Sequence, residues 1–179
     1  TTQMGQVGIR SVLDTSMRPG LRKALESQLR DSTQVICDIY SRFRFEDAVF
    51  KNRPNKFMNA DALCELMLEA QKQSYGDGLD PDVRHSCMWI CKPHYYGPVF
   101  YNFPYTFGAL FARGLYAQYE KEGAAFVPKY KKLLYTTTVA SAEDTAKVAG
   151  VDLTDKAFWC STLHTNADQI NLFYQLVEE

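Results

Sequence analysis

Between residues 21 and 50, apolar side chains recur at Leu21, Leu25, Leu29, Val35, Ile36, Ile39, Tyr40, Phe43 and Val49, with charges interleaved. That three-and-four spacing predicts a long amphipathic helix, punctuated by Pro19-Gly20 at its start and by Asn52-Arg53-Pro54-Asn55 at its end. A second helix is expected from Asn59 or Asp61 to Tyr75, with Leu63, Leu66, Met67 and Ala70 inward and Gly76-Asp77-Gly78 closing it. Asp80-Pro81 reads as a cap followed by a proline at the first helical position, predicting a third helix to about Ile90 that Pro93 stops. A fourth helix carries Tyr105, Leu110, Phe111, Leu115, Tyr116 and Tyr119 and ends at Gly123. Its small residues Gly108, Ala109, Ala112, Gly114 and Ala117 suit close approach by a neighbouring backbone. A short helix follows over 126–135. Ser141-Ala142-Glu143-Asp144 resembles a capping box for another, closed by Gly150. The last helix begins near Thr154 or Asp155 and reaches about Val177, with Phe158, Trp159, Leu163, Ile170, Phe173 and Leu176 inward. Only 99–103 hints at strand alternation. The chain is therefore read as all-α, a multi-helix subdomain of about six to seven helices with an aromatic loop preceding a long helix.

The first helix departs from a simple stripe at Tyr40-Ser41-Arg42-Phe43-Arg44-Phe45-Glu46-Asp47. Phe43 and Phe45 cannot share one narrow face with Tyr40, so the helix is expected to be covered on more than one side. Arg42, Arg44, Glu46 and Asp47 are then expected at a boundary or cleft.

Length and composition narrow the classes. At 179 residues and 46% hydrophobic, the chain fits one domain with its own core, and 1–179 is read as a single helical subdomain. A net charge of −1 disfavours a polyanion-binding surface, and Lys129, Lys131 and Lys132 are the densest basic patch. No nucleic-acid partner is expected. No apolar run reaches the ~20 residues that span a bilayer, and Arg113 interrupts 105–119. The opening Thr1-Thr2-Gln3-Met4 lacks the basic and apolar regions of a signal peptide. Five cysteines, an odd number without paired spacings, suit a reducing compartment, so the expectation is cytoplasmic with no membrane partner. The absence of an initiator methionine, with a long helix beginning soon after Thr1, fits a piece of something larger.

The chemistry is concentrated in Lys92-Pro-His-Tyr-Tyr-Gly-Pro-Val-Phe-Tyr-Asn-Phe-Pro-Tyr-Thr-Phe-Gly108. His94, Tyr95, Tyr96, Tyr101 and Tyr105 each put a hydrogen-bonding tip on a ring, and such groups near a helix start can stabilise developing negative charge. An aromatic core beneath a loop explains the composition equally well. Cys87 and Cys91 share one face of the predicted third helix and His94 lies three residues on. Zinc wants four ligands, or three plus water, and no His-Glu-x-x-His or Cys-x-x-Cys occurs, so core thiols are the better reading. Cys91 beside His94 would need an orienting third group to act as a nucleophile, and none is evident. Cys160 and His164, four apart on the last helix, read as a surface or core edge.

Arg42-Phe-Arg-Phe-Glu46, then Trp89-Ile-Cys-Lys-Pro-His94-Tyr-Tyr and Phe100-Tyr101-Asn-Phe-Pro-Tyr105-Thr-Phe-Gly108, resemble the C-terminal part of the oligoendopeptidase F group of thimet-type zinc metallopeptidases. The likeness runs from about Leu29 to the end and includes Tyr119-Glu-Lys-Glu-Gly123 and Phe158-Trp159. It implies a portion of a larger helical zincin-type peptidase that hydrolyses short peptides. In that family zinc is held by a His-Glu-x-x-His helix and a glutamate on the following helix, all upstream of the matched region. The resemblance therefore implies zinc in the full-length enzyme, no metal ligand in this chain, and an N-terminal part of the same enzyme as its partner. It assigns His94, Tyr101 and Tyr105 to the catalytic set, as groups facing the substrate carbonyl or its oxyanion. Tyr95, Tyr96, Gly97 and Gly108 are expected to bind substrate. This chain is one residue longer between Tyr96 and Phe100 than the family pattern, so the oxyanion role stays open between the tyrosines. Alone, the chain is expected to be inactive and to expose faces that favour self-association. The rival reading is a free-standing, non-catalytic helical module that holds a peptide or protein in an apolar groove.

Overall fold

The computed structural model describes residues 18–178. The Thr1-Thr2-Gln3-Met4 start lies outside them. Among the described residues the chain is all-α, with no strand. Helix α1 (Arg18–Thr33) passes through a π-helical turn (Gln34–Asp38) into α2 (Ile39–Asn52), so the stretch the periodicity predicts is helical in type along its length. α3 (Ala60–Tyr75) follows, then 3₁₀ turns at Pro81–Val83, Met88–Cys91 and Pro93–Tyr96. The remaining helices are α4 (Phe103–Glu122), α5 (Phe126–Thr136), α6 (Ala142–Val148) and α7 (Lys156–Glu178), with a 3₁₀ turn at Gly123–Ala125. These residues fall into two compact units: Arg30–Phe107, and the described residues up to Leu29 together with those from Gly108 onward.

In the Arg30–Phe107 unit, Phe45, Met67 and Ala70 are buried and Val49, Leu63, Leu66, Met88, Trp89 and Tyr95 pack around them. α3 obeys its local signals: the Asn59 side chain accepts from the Ala62 amide at 3.0 Å, and Gly76 ends the helix at φ +57°. The π turn is a feature the spacing did not predict. Its carbonyls serve as acceptors for side chains: Thr106 Oγ1 donates to Val35 O at 2.7 Å and the Ser74 hydroxyl donates to Cys37 O. Past this turn the buried face is Ile39, Ser41, Arg42, Phe45 and Glu46, whereas Tyr40, expected inward, is exposed. Of the charged group, Arg42 and Glu46 are buried rather than at a boundary. Arg42 pairs with Asp38 one turn back, and Arg44 donates to Gln73 Oε1 at 2.8 and 3.0 Å.

The third helix does not form. Asp80 caps as expected, accepting from the Asp82 amide at 2.9 Å, but only one 3₁₀ turn follows and Arg84 is extended. The stretch 81–90 lacks a sustained apolar stripe. The Gln71 side chain also claims the backbone of His85, accepting from its N–H at 3.1 Å and donating to its C=O at 2.9 Å. The His85 N–H is thereby withdrawn from helical pairing, while its C=O is shared between Gln71 and the Met88 N–H, which donates to it at 3.1 Å. Cys87 and Cys91 consequently do not share a helical face, because Cys87 sits before a 3₁₀ turn that Cys91 ends. Nor does 99–103 form a strand: it is a turn leading into α4.

The second unit holds a core of Leu115, Phe126, Leu133, Ala146, Ala149 and Val151, backed by Phe111, Val148, Leu153 and Phe158. Ser141 caps α6 by accepting from the Asp144 amide at 3.1 Å, and Gly150 follows it at φ +77°. The inner row of α7 is corrected: Thr162 and Asn166 are buried, whereas Leu163 and Ile170 are 42% and 44% exposed. An inward row running Phe158, Thr162, Asn166 has the i, i+4 spacing of one face. Its shape is matched to Gly114, where an added Cβ would lie 2.2 Å from the Phe158 ring and 3.0 Å from the Thr162 methyl. Thr162 is satisfied by donating to Trp159 O at 2.7 Å, and Asn166 accepts from Arg113.

Candidate functional site: a His94–Tyr101–Tyr105 ring cluster

The aromatic run folds as two turns in succession. Pro93 occupies the first position of the Pro93–Tyr96 turn, where its missing N–H costs nothing, and this turn presents His94. The chain then passes Gly97-Pro98-Val99 and reaches Phe100, whose φ of +55° is the one positive value among the described non-glycine residues. An aromatic residue in that region is strained unless its surroundings hold it. Three contacts hold Phe100. Its ring packs against Phe43 and Phe50, with centroids 5.6 and 5.3 Å away, and its N–H donates to Glu46 Oε1 at 2.8 Å. The reversal at Phe100 aims Tyr101 back toward His94, and α4 begins at Phe103 with Tyr105 in its first turn.

Three rings converge. His94 Nε2 and the Tyr105 hydroxyl are 3.1 Å apart, a hydrogen bond in which either tautomer of the imidazole can take part. His94 stacks on Tyr101 with centroids 5.7 Å apart and planes 15° off parallel, and Tyr101 meets Tyr105 edge-on at 6.1 Å. Tyr101 and Tyr105 are 46% and 47% exposed, so the cluster lies at the surface rather than in a sealed core. His94 Nδ1 is buried with no hydrogen-bond partner among the described residues.

The other residues singled out in the sequence are placed apart from this trio. Tyr95 turns inward, its ring edge-on to Phe45 at 5.2 Å. Burial raises its phenol pKa well above the ordinary value; the Arg42 charge opposes this, and Glu46, Asp38 and Tyr96 add to it. It therefore stays neutral and part of the core. Tyr96 has an exposed ring and donates its hydroxyl to Trp89 O at 3.2 Å. Gly97 is exposed, with open space where a Cβ would stand. Gly108 is likewise open and belongs to the other unit. Cys91 is exposed, and among the described residues no hydrogen bond joins it to His94, whose Nε2 engages Tyr105. Cys160 and His164 lie exposed on α7.

Glu46 is the site-building residue that sequence reasoning missed. Its position in Arg42-Phe-Arg-Phe-Glu46 was noted, but its task, to hold a backbone N–H 54 positions away, has no local signature. A separate open groove of about 480 Å³ lies at the turn between α2 and α3, lined by Val49, Arg53, Lys56, Phe57, Met58 and Leu63 among others. None of the three rings lines it. Among the described residues no three His, Cys, Asp or Glu side chains converge as a metal site would require.

With this geometry in hand, the likeness to known proteins becomes informative. Over 97 residues the chain is 30% identical to oligopeptidase PepF of Bacillus subtilis (strain 168), a match covering 54% of this chain and 14% of that protein. Over 119 residues it is 29% identical to an oligoendopeptidase F homolog of Borreliella burgdorferi, covering 66% of this chain and 19% of that protein. The chain is similar to F-type oligopeptidases. It spans less than a fifth of the length of these two relatives. No family model matches the chain, and no solved structure matches it.

Proposed function

We propose that this chain is the C-terminal helical part of a zinc-dependent oligoendopeptidase that hydrolyses short peptides. Its contribution is a set of hydrogen-bonding rings, His94, Tyr101 and Tyr105, that face the reacting peptide carbonyl. The observation that carries this reading is the convergence of those three polar rings at the surface, in a chain similar to two proteins named as oligopeptidases.

On the family likeness, the metal and the residues that hold it are assigned to other parts of the parent enzyme, with which this chain would assemble. The chemistry assigned to this chain needs no metal ligand from it. As water adds to a peptide carbonyl, charge builds on the carbonyl oxygen, and a phenol O–H or an imidazole N–H held nearby lowers the energy of that charge more than that of the neutral carbonyl. The hydrogen bond between His94 and Tyr105 fixes both rings beforehand, so little reorganisation is needed when substrate arrives. Tyr101, stacked on His94, offers a second phenol on the same side. The exposed rings of Tyr96 and Phe103 would give a short peptide apolar surface to lie against. Residues 92–105 act in this way only within the parent enzyme, so the isolated chain is inactive.

The reading frame upstream of Thr1 tests this reading. A His-Glu-x-x-His motif in frame within a few hundred codons is the expected result. A start codon close to Thr1, together with stoichiometric zinc and peptidase activity in the purified chain, would overturn it. The same start codon without zinc or activity would favour a free-standing peptide-binding module instead.

A further inference from the structure

Cys64 on α3 and Cys87, just before the Met88–Cys91 turn, bring their sulfurs to 3.7 Å although they stand 23 positions apart. A disulfide bond is about 2.05 Å long, so the two thiols are a side-chain adjustment of about 1.7 Å from bonding. Both are half-buried, which leaves them open to a small oxidant but poorly placed to meet a thiol of another molecule. The polar clamp between α3 and this segment keeps them together. Gln71, two turns along α3 from Cys64, binds both backbone groups of His85, two residues before Cys87. Ile90 N–H donates to Cys87 O at 3.0 Å and fixes the far side of the turn. The Ser86 hydroxyl lies 3.7 Å from Cys87 Sγ, where it can donate to a thiolate. Among the described residues no other pair of sulfurs is in contact, and Cys91 and Cys160 are exposed.

We propose that Cys64 and Cys87 form a peroxide-responsive dithiol–disulfide site that ties the segment leading to His94 onto α3. One thiolate attacks an oxygen of hydrogen peroxide, the O–O bond breaks, and hydroxide leaves to become water, giving a sulfenic acid. The second sulfur attacks the sulfenic sulfur, the S–O bond breaks, and a second water leaves. Two thiols thereby lose two electrons and two protons, and peroxide is reduced to two waters. A small-molecule thiol reverses the step by exchange. This site is independent of the peptidase reading, because it requires only the α3 pairing and no substrate.

The test is peroxide treatment of the folded 179-residue chain at modest excess, alkylation of remaining thiols, and peptide mapping without reduction. The expected product is an intramolecular crosslink between the Cys64 and Cys87 peptides, with an intact mass lower by two hydrogens. A thiol reductant should restore it. The triple variant Cys37→Ser/Cys91→Ser/Cys160→Ser retains the crosslink, and Cys64→Ser abolishes it. Because the principal readout uses the unaltered chain, an unstable variant does not blunt it. Recovery of Cys64 and Cys87 as separate alkylated, sulfinic or intermolecularly linked peptides would overturn the proposal.

Discussion

At the scale of single residues, Glu46 is the pivot of the ring cluster, because it holds the one backbone reversal that lets Tyr101 face His94. Its Oε1 accepts from the Phe100 N–H, in a side chain only 5% exposed. Removing that acceptor leaves a buried N–H unpaired at a residue already held at φ +55°. Glu46→Ala is expected to cost roughly 1–3 kcal/mol of stability in denaturant melts. Glu46→Gln keeps an oxygen acceptor and should cost distinctly less. Equal, small losses for both variants would show that Phe100 is held by its ring contacts alone. The sequence made the candidate rings legible, since His94, Tyr101 and Tyr105 were named from residue type and from resemblance. It set Tyr95 among the substrate-binding residues and gave no sign that its ring turns inward onto Phe45. Whether a tyrosine in a short turn points to solvent or to the core depends on where Phe45 and Arg42 stand, and that is long-range information.

At the scale of elements, the rule that apolar spacing makes helices succeeded wherever a stripe was sustained, as in α1 and α2, α3, α4 and α5. It failed over 81–90, where a correct cap at Asp80 was followed by too few apolar residues and by a Gln71 side chain that captured the His85 backbone. It also misjudged α7, whose inner row is set by shape. Gly114 on α4 makes the room, and Phe158 and Thr162 fill it. In an open helix, Gly→Ala gains up to about 1 kcal/mol from helix propensity alone. At Gly114 the added methyl would overlap the Phe158 ring, so Gly114→Ala is expected to lose about 1–3 kcal/mol, the usual cost of overpacking. Gly108 on the same helix has nothing near its missing Cβ, and Gly108→Ala should gain a fraction of that amount. Paired thermal melts decide the matter, and a stabilised Gly114→Ala would mean that Phe158 swings aside freely.

At the scale of the whole molecule, the described residues form two units, each with its own apolar core, and the ring cluster lies entirely within Arg30–Phe107. A sequence pattern reports which residues are apolar but not which of them share a core, so this division into two units has no signature in the sequence. The all-α class, by contrast, was legible throughout, because capping, glycine stops and helical spacing agree along most of the chain. What the molecule does rests on the proposal that its phenols donate to a reacting peptide carbonyl inside a larger oligopeptidase. The most direct test is the kcat of that parent enzyme carrying Tyr101→Phe together with Tyr105→Phe, which removes both hydroxyls and leaves both rings in place. A fall of roughly 10²–10³ in kcat with KM little changed is the predicted result. An unchanged kcat would contradict the account.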